Sequence, residues 1–104
     1  MKQLTKNLLK MNFRGVEWEN VEKIEFAFSQ EIGAIPLKVV EYPGDGTLLV
    51  SEGTVGVEWT AADTEKFTAG KPFYADTRIS LFDSDYQPET SIVKLIMNPT
   101  LFRE

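Results

Sequence analysis

The chain has no cysteine and no histidine among its 104 residues. Without cysteine it can form no disulfide, no thiolate metal site and no thiol nucleophile. Without histidine it can form no Ser-His-Asp triad and no imidazole zinc site, and it lacks the commonest general base near neutral pH. Catalysis would have to rely on carboxylates, lysine or tyrosine. We therefore expect a protein that is not an enzyme and that binds neither a cofactor nor a metal.

Basic residues are few and long apolar runs are missing. Eleven lysines and arginines stand against sixteen aspartates and glutamates, which gives a formal net charge of -5. Binding to a phosphate backbone depends on an excess of basic side chains. The amino-terminal sequence MKQLTKNLLKMNF has no apolar stretch of the length that a signal peptide or a membrane span requires. We expect no nucleic acid and no membrane among the partners, and a cytoplasmic protein.

The chain also lacks internal repeats, low-complexity tracts and linkers rich in glycine, serine or proline. A length of 104 residues suits one domain. A domain of this size buries roughly two thirds of the surface that its unfolded chain exposes, so a core is feasible without cross-links. The sequence therefore predicts a single domain over residues 1–104.

The most informative stretch is residues 55–81, which combines the patterns of a strand, a helical turn and a second strand. The first strand alternates apolar with small or polar residues, its apolar positions being Val55, Val57 and Trp59. Thr60 is predicted to cap one helical turn near residues 61–67, because its hydroxyl can accept the N–H of Asp63, which stands in capping-box position. Gly70 is predicted to end that segment. Alternation then resumes from Phe73 to Leu81, and we expect Val57, Trp59 and Ile79 to point into one shared interior.

Similar alternation predicts further strands at Leu9–Phe13, Ile24–Phe28, Leu37–Tyr42, Leu48–Val50 and Ser91–Met97. The amino terminus is ambiguous, because Leu4, Leu8 and Met11 could also share one face of a helix over Met1–Met11. The last strand is apolar on both faces, which indicates a strand that is central in its sheet or covered by a partner. Six or seven short strands favour an all-β fold, either an immunoglobulin-like antiparallel β-sandwich or a partly open barrel.

Two groups of carboxylates are candidates for chemistry, and each has a simpler interpretation. One group could bind calcium, but it lacks the glycine of an EF-hand loop and consists of residues that hairpin turns favour: Asp83, Asp85 and Glu89. The other group consists of Glu17, Glu19, Glu22 and Glu25. Two of these carboxylates could serve as a general acid and a general base, which would require burial of one of them. The pattern instead favours a solvated strand edge. We assign neither group a catalytic or metal-binding role.

Three aromatic residues fall outside the buried register or in a loop, namely Tyr74, Phe82 and Tyr86. Exposed aromatic side chains are typical of protein interfaces. They can also provide a stacking platform for sugar rings. We predict that these three residues form an interaction surface.

Four segments follow one another in a distinctive order: FAFSQ at 26–30, VGVEWTAADTEKFTAGK at 55–71, FYADTRISL at 73–81 and SIVKLIMNPTL at 91–101. The central pattern is Thr-x-x-[Asp/Glu]-Thr-x-x-Phe-x-x-Gly followed by a strand with arginine, carried here by Thr60, Asp63, Thr64, Phe67, Gly70 and Arg78. This order resembles the short virion-associated β-sandwich proteins of phages and prophages of Gram-positive bacteria, including the amino-terminal domains of baseplate and receptor-binding proteins. Where that family has a turn with glycine before the last strand, this chain has Asp83-Ser84-Asp85.

The resemblance implies a non-catalytic structural protein of a phage or prophage, such as a tail or baseplate component, since no catalytic residue is associated with the pattern. Its partners would be other virion proteins or further copies of itself, as a homo-oligomer. It would be located in the bacterial cytoplasm during assembly and in the virion afterwards. The alternative from the residues is a carbohydrate-binding β-sandwich module that recognises cell-surface glycans through its aromatic side chains.

Overall fold

The computed structural model describes residues 1–13, 18–44, 48–51, 53–82 and 92–100. These residues form seven strands: β1 Asn7–Asn12, β2 Val21–Ser29, β3 Lys38–Tyr42, β4 Leu48–Ser51, β5 Thr54–Trp59, β6 Pro72–Leu81 and β7 Val93–Ile96. A 3-10 helix over Trp18–Asn20 precedes β2, and the helix α1, Ala61–Glu65, connects β5 to β6. Within the described ranges, no helix has the length and apolar character needed to cross a membrane.

The strands form two antiparallel sheets. One has three strands in the order β1-β5-β4, and the other has four in the order β3-β2-β6-β7. The predicted all-β, sandwich-like fold is confirmed, and the described strands form no closed barrel. The segment between β5 and β6 has the predicted order of strand, helical turn and strand, and it crosses from one sheet to the other.

The two sheets enclose a common hydrophobic core. Val57 of β5 and Ile79 of β6 are both fully buried in it, which confirms the predicted inward register of the two strands. Trp59 lies at its centre with 0% exposure. Its indole contacts three phenyl rings edge-on, at centroid distances of 4.8, 5.3 and 5.6 Å for Phe28, Phe67 and Phe73. The pattern that predicts an interior Trp59 is therefore correct.

The start of α1 is fixed by the predicted capping box. Thr60 Oγ1 accepts a hydrogen bond from the N–H of Asp63 at 3.1 Å, and Asp63 Oδ2 accepts one from the N–H of Thr60 at 3.0 Å. The same Asp63 oxygen accepts a hydrogen bond from Lys38 Nζ of β3 at 3.0 Å, and Lys38 Nζ lies 5.2 Å from the ring centroid of Trp59. Burial alone would raise the pKa of Asp63, but the hydrogen bonds from Thr60 and Lys38 outweigh it and lower that pKa.

The sequence predictions for the first segment and for the last strand need correction. The helix considered for Met1–Met11 is wrong, because β1 pairs with β5 along its whole length, from Asn7 opposite Trp59 to Asn12 opposite Thr54. The central position considered for the last strand is also wrong. β7 pairs only with β6 among the described strands and lies at the edge of its sheet.

Gly70 has a role slightly different from the predicted one. The helix already ends at Glu65, with Lys66 as its right-handed C-cap. Gly70 lies in the turn that enters β6, where its φ of +81° is in the region that favours glycine. Its N–H donates to the carbonyl of Met97 at 2.7 Å, so the turn is joined to the segment after β7.

Candidate interaction surface

The outer face of the four-stranded sheet carries the side chains that the alternation of β2 and β6 directs away from the core. In β2, Glu25 and Ala27 lie between the buried residues Ile24, Phe26 and Phe28. In β6, Tyr74, Asp76 and Arg78 alternate with buried residues in the same way. The register places Glu25 opposite Arg78 and Ala27 opposite Asp76. This outer face divides into a charged part and an apolar part.

The charged part is a chain of ion pairs across three strands. Arg78 donates two hydrogen bonds to the carboxylate of Glu25, Nε to Oε1 and Nη2 to Oε2, each 2.9 Å long. Lys23 Nζ lies 3.8 Å from Glu25 and 3.5 Å from Glu41 of β3. The hydrogen bonds from Arg78 lower the pKa of Glu25 against the opposing effect of burial, and the charges of Arg78 and Lys23 add to the lowering. Glu25 is therefore held as a carboxylate.

The apolar part lies where the loop between β2 and β3 meets β6. A depression of about 150 Å³ there is lined mainly by Tyr74, Ala27, Ile32, Pro36 and Ile92, and the acidic residues Glu31 and Asp76 line it as well. Ile32 is 70% exposed and Ile35, in the same loop, is 89% exposed. Exposed apolar side chains grouped in this way are typical of a surface that another molecule covers.

A second depression, of about 280 Å³, lies over the charged part and is lined by Glu25, Val39 and Arg78 among others. It shares Ala27 and Asp76 with the first depression, so the two are neighbours on the same face. Together they form a shallow surface with ion pairs at one end and apolar groups at the other.

The structure separates two of the predicted interaction residues. Tyr74 lies in the apolar depression. Phe82 follows the end of β6 and is 65% exposed, and its N–H donates to the carbonyl of Asn20 at 2.9 Å. The two are eight positions apart in the sequence, roughly 26 Å for an extended chain. One small ligand cannot contact both, whereas a protein partner can.

Several predicted candidates lie outside the described residues: Tyr86, Glu17, Asp83, Asp85 and Glu89. Of the other glutamates considered for acid-base chemistry, Glu19 and Glu22 are exposed. Glu25 is not at a strand edge as predicted, because β2 is central in its sheet. A general acid needs a raised pKa, whereas that of Glu25 is lowered. No group of three or more metal-ligating acidic side chains occurs in the described ranges.

The sequence reasoning missed the apolar loop residues Ile32 and Ile35. A signal was present, since residues 32–37 read IGAIPL, an apolar run without alternation. Gly33 and Pro36 interrupt this run, which is typical of a loop rather than of a buried strand. An apolar loop of this kind is uncommon at a surface that faces only water.

No family model matches this chain, and no curated protein and no solved structure matches it either.

Proposed function

We propose that this protein is a non-catalytic structural component that binds other proteins through the outer face of its four-stranded sheet. The observation that carries the proposal is the depression on one side of that face, which is lined by Tyr74 and by the exposed side chains of Ile32 and Ile92. Covering such side chains removes apolar surface from water, which is the main driving force of protein association.

The size of the face supports a protein partner. The strands β2 and β6 have 9 and 10 residues, and β3 and β7 have 5 and 4. At about 3.4 Å per residue and about 4.8 Å between strands, the face measures on the order of 450 Å². The loop with Ile32 and Ile35 extends this face toward the roughly 800 Å² per partner that a standard interface buries. The ion pairs of Glu25 and Arg78 at the other end suit the polar rim of an interface.

The more specific proposal is a virion component of a phage or prophage, in the tail, the baseplate or a related structure. It rests on the resemblance of residues 26–30, 55–71, 73–81 and 91–101 to virion-associated β-sandwich proteins. The partners would then be other virion proteins or further copies of this chain, encountered in the bacterial cytoplasm during assembly and retained in the virion.

The test is association of the purified protein, alone and with the products of the genes that flank its own, followed by sedimentation velocity. Ile32→Ser and Tyr74→Ser should each weaken association about tenfold, as loss of one apolar contact at the centre of an interface does. Leu8→Ser is the matched control, because Leu8 is also exposed, at 47%, but belongs to β1 in the other sheet. A protein that remains monomeric and binds none of these gene products would contradict the proposal.

One observation favours glycan binding as a second candidate. Tyr74 lines the same depression as the acidic residues Glu31 and Asp76. An aromatic ring beside hydrogen-bond acceptors can hold the apolar face and the hydroxyl groups of a sugar. Binding on a glycan array that is lost in Tyr74→Ala, and kept in Leu8→Ser, would favour this function over protein assembly.

A further inference from the structure

Along the outer edge of β7, some backbone groups have no partner among the described residues. The backbone groups of Met97 point toward the β6 side. Its N–H donates to the carbonyl of Lys71 at 3.4 Å, and its carbonyl accepts a hydrogen bond from the N–H of Gly70. Successive residues of a strand direct their backbone groups to opposite sides. Lys94 and Ile96 therefore direct theirs away from β6, to a side where no described strand lies.

Just after β7, the same edge is already paired with the amino-terminal residues of the chain. The N–H of Asn98 donates to the carbonyl of Met1 at 2.7 Å, and the N–H of Gln3 donates to the carbonyl of Asn98 at 2.9 Å. Lys2 and Asn98 form a parallel bridge. The amino group of Met1 also reaches the carbonyl of Ile96, at 3.3 Å. The edge is thus covered from the carbonyl of Ile96 onward. Among the described residues, the N–H of Ile96 and both backbone groups of Lys94 remain without a partner.

Side chains on this open stretch specify what can pair with it. Lys94 lies opposite Tyr74, which places it on the outer face of the sheet, and Ile96 lies opposite Pro72 on that same face. Ile92 lines the depression beside Tyr74. Ile92 and Ile96 are 47% and 55% exposed. On the outer face of this edge, every second residue therefore contributes a side chain in the order apolar, basic, apolar: Ile92, Lys94 and Ile96.

We propose that β7 binds an extended segment of another protein as a fifth strand, and that this segment has an acidic residue opposite Lys94 and apolar residues two positions to either side. Opposite charges directly across a strand pair stabilise it, and like charges destabilise it. Strand addition of this kind takes its affinity from main-chain hydrogen bonds and its specificity from alternate side chains. The inference rests on the proposed function, because it names how the partner is held.

A second copy of this chain fits the edge less well. A two-fold antiparallel pairing centred on Lys94 would set that lysine against the same lysine of the other copy. A segment of a different protein with an acidic residue at this position avoids that repulsion, and its apolar residues would cover Ile92 and Ile96.

The test uses the blocked peptide acetyl-Ser-Val-Thr-Glu-Thr-Val-Ser-amide, titrated to millimolar concentration into the ¹⁵N-labelled full chain. The expected result is a set of amide shift changes centred on residues 92–96, with slower hydrogen exchange at Lys94 and Ile96. The matched peptide with lysine in place of glutamate should bind about tenfold more weakly, and added salt should reduce the difference.

Charge reversal in the protein tests the pairing itself. In Lys94→Glu the preference should invert, so that the lysine peptide binds more tightly than the glutamate peptide. Lys94→Pro should abolish binding of both, because it removes a donor that points away from β6 and leaves the β6 ladder intact. Lys94→Glu changes only an exposed side chain, so the test stands even if the proline variant does not fold.

Equal binding of the two peptides, or no shift changes at residues 92–96, would overturn the proposal. Dimerisation through β7 that excludes the peptide would also overturn it, in favour of a second copy as the occupant. If Lys94→Pro associates with the flanking gene products as well as the wild type does, strand addition is wrong and the proposed function stands. If the wild type associates with none of them, the proposed function itself fails.

Discussion

The inner face of the four-stranded sheet is closed by the other sheet, whereas its outer face carries uncovered apolar and charged side chains. Each face has an ion pair of similar length: Lys38 Nζ to Asp63 at 3.0 Å inside, and Arg78 Nε to Glu25 at 2.9 Å outside. The Lys38 side chain is only 7% exposed, and that of Arg78 is 62% exposed. The distance between the charges therefore does not by itself decide how much an ion pair contributes to the free energy of unfolding, because the two pairs differ in how far they are removed from water.

The comparison predicts that stability depends on the inner face and that the outer face is free for binding. Substitutions on the inner face should lower the free energy of unfolding. Substitutions on the outer face should change binding or pKa values while the fold remains. The following substitutions test this division, from the largest expected effect to the smallest.

Trp59→Ala should have the largest effect, a loss of about 3 to 5 kcal/mol in the free energy of unfolding, because it leaves a cavity among three phenyl rings. Chemical denaturation measures the loss. Trp59→Phe is the control: it keeps much of the ring and removes an indole N–H that is buried without an acceptor among the described residues, so its loss should be smaller. A Trp59 accessible to fluorescence quenchers would contradict the assigned interior.

Asp63→Ala should cost about 3 kcal/mol, because it removes half of the capping box and leaves the ammonium of Lys38 buried without its partner. Urea denaturation measures the loss. Lys38→Met combined with Asp63→Ala should recover part of it, since no unpaired charge then remains. A double variant less stable than Asp63→Ala alone would contradict this account.

The contribution of Asp63 should also depend on pH. Because its pKa is lower in the folded protein than the usual value of 3.8, its contribution is complete above that value and is lost as the pH falls through the folded pKa. Asp63→Asn has no such group. The difference in unfolding free energy between wild type and Asp63→Asn should therefore shrink on acidification, and a constant difference would contradict the lowered pKa.

Thr60→Ala should cost on the order of 1 kcal/mol, the usual loss when a capping hydroxyl is removed. Thermal denaturation measures it, and Thr60→Ser, which keeps the hydroxyl, should stay close to the wild type. An unchanged melting curve in Thr60→Ala would show that the capping box of α1 contributes nothing.

Whether a feature depends on local or on distant residues decides whether the sequence predicts it. Alternation and capping are local signals, so they locate the strands, the interior position of Trp59 and the capping of α1 by Thr60. The buried pair of Lys38 and Asp63 joins residues 25 positions apart, and nothing near Lys38 in sequence marks it as buried. The edge position of β7 is hidden for another reason. A strand that is apolar on both faces has the same sequence pattern whether it is central in a sheet or lies at an edge that another molecule covers.

On the outer face, Arg78→Gln should leave the midpoint of thermal unfolding unchanged within experimental scatter, because an exposed ion pair contributes little to stability. It should nevertheless raise the pKa of Glu25 toward its usual value of 4.5, since Arg78 supplies the largest effect that lowers it. Carboxyl ¹³C shifts measured against pH would report this change. Lys23→Gln, whose ammonium lies farther away at 3.8 Å, should raise the same pKa less. A large loss of stability in Arg78→Gln without a change in the pKa of Glu25 would mean that the outer face supports the fold, and the contrast between the two faces would be wrong.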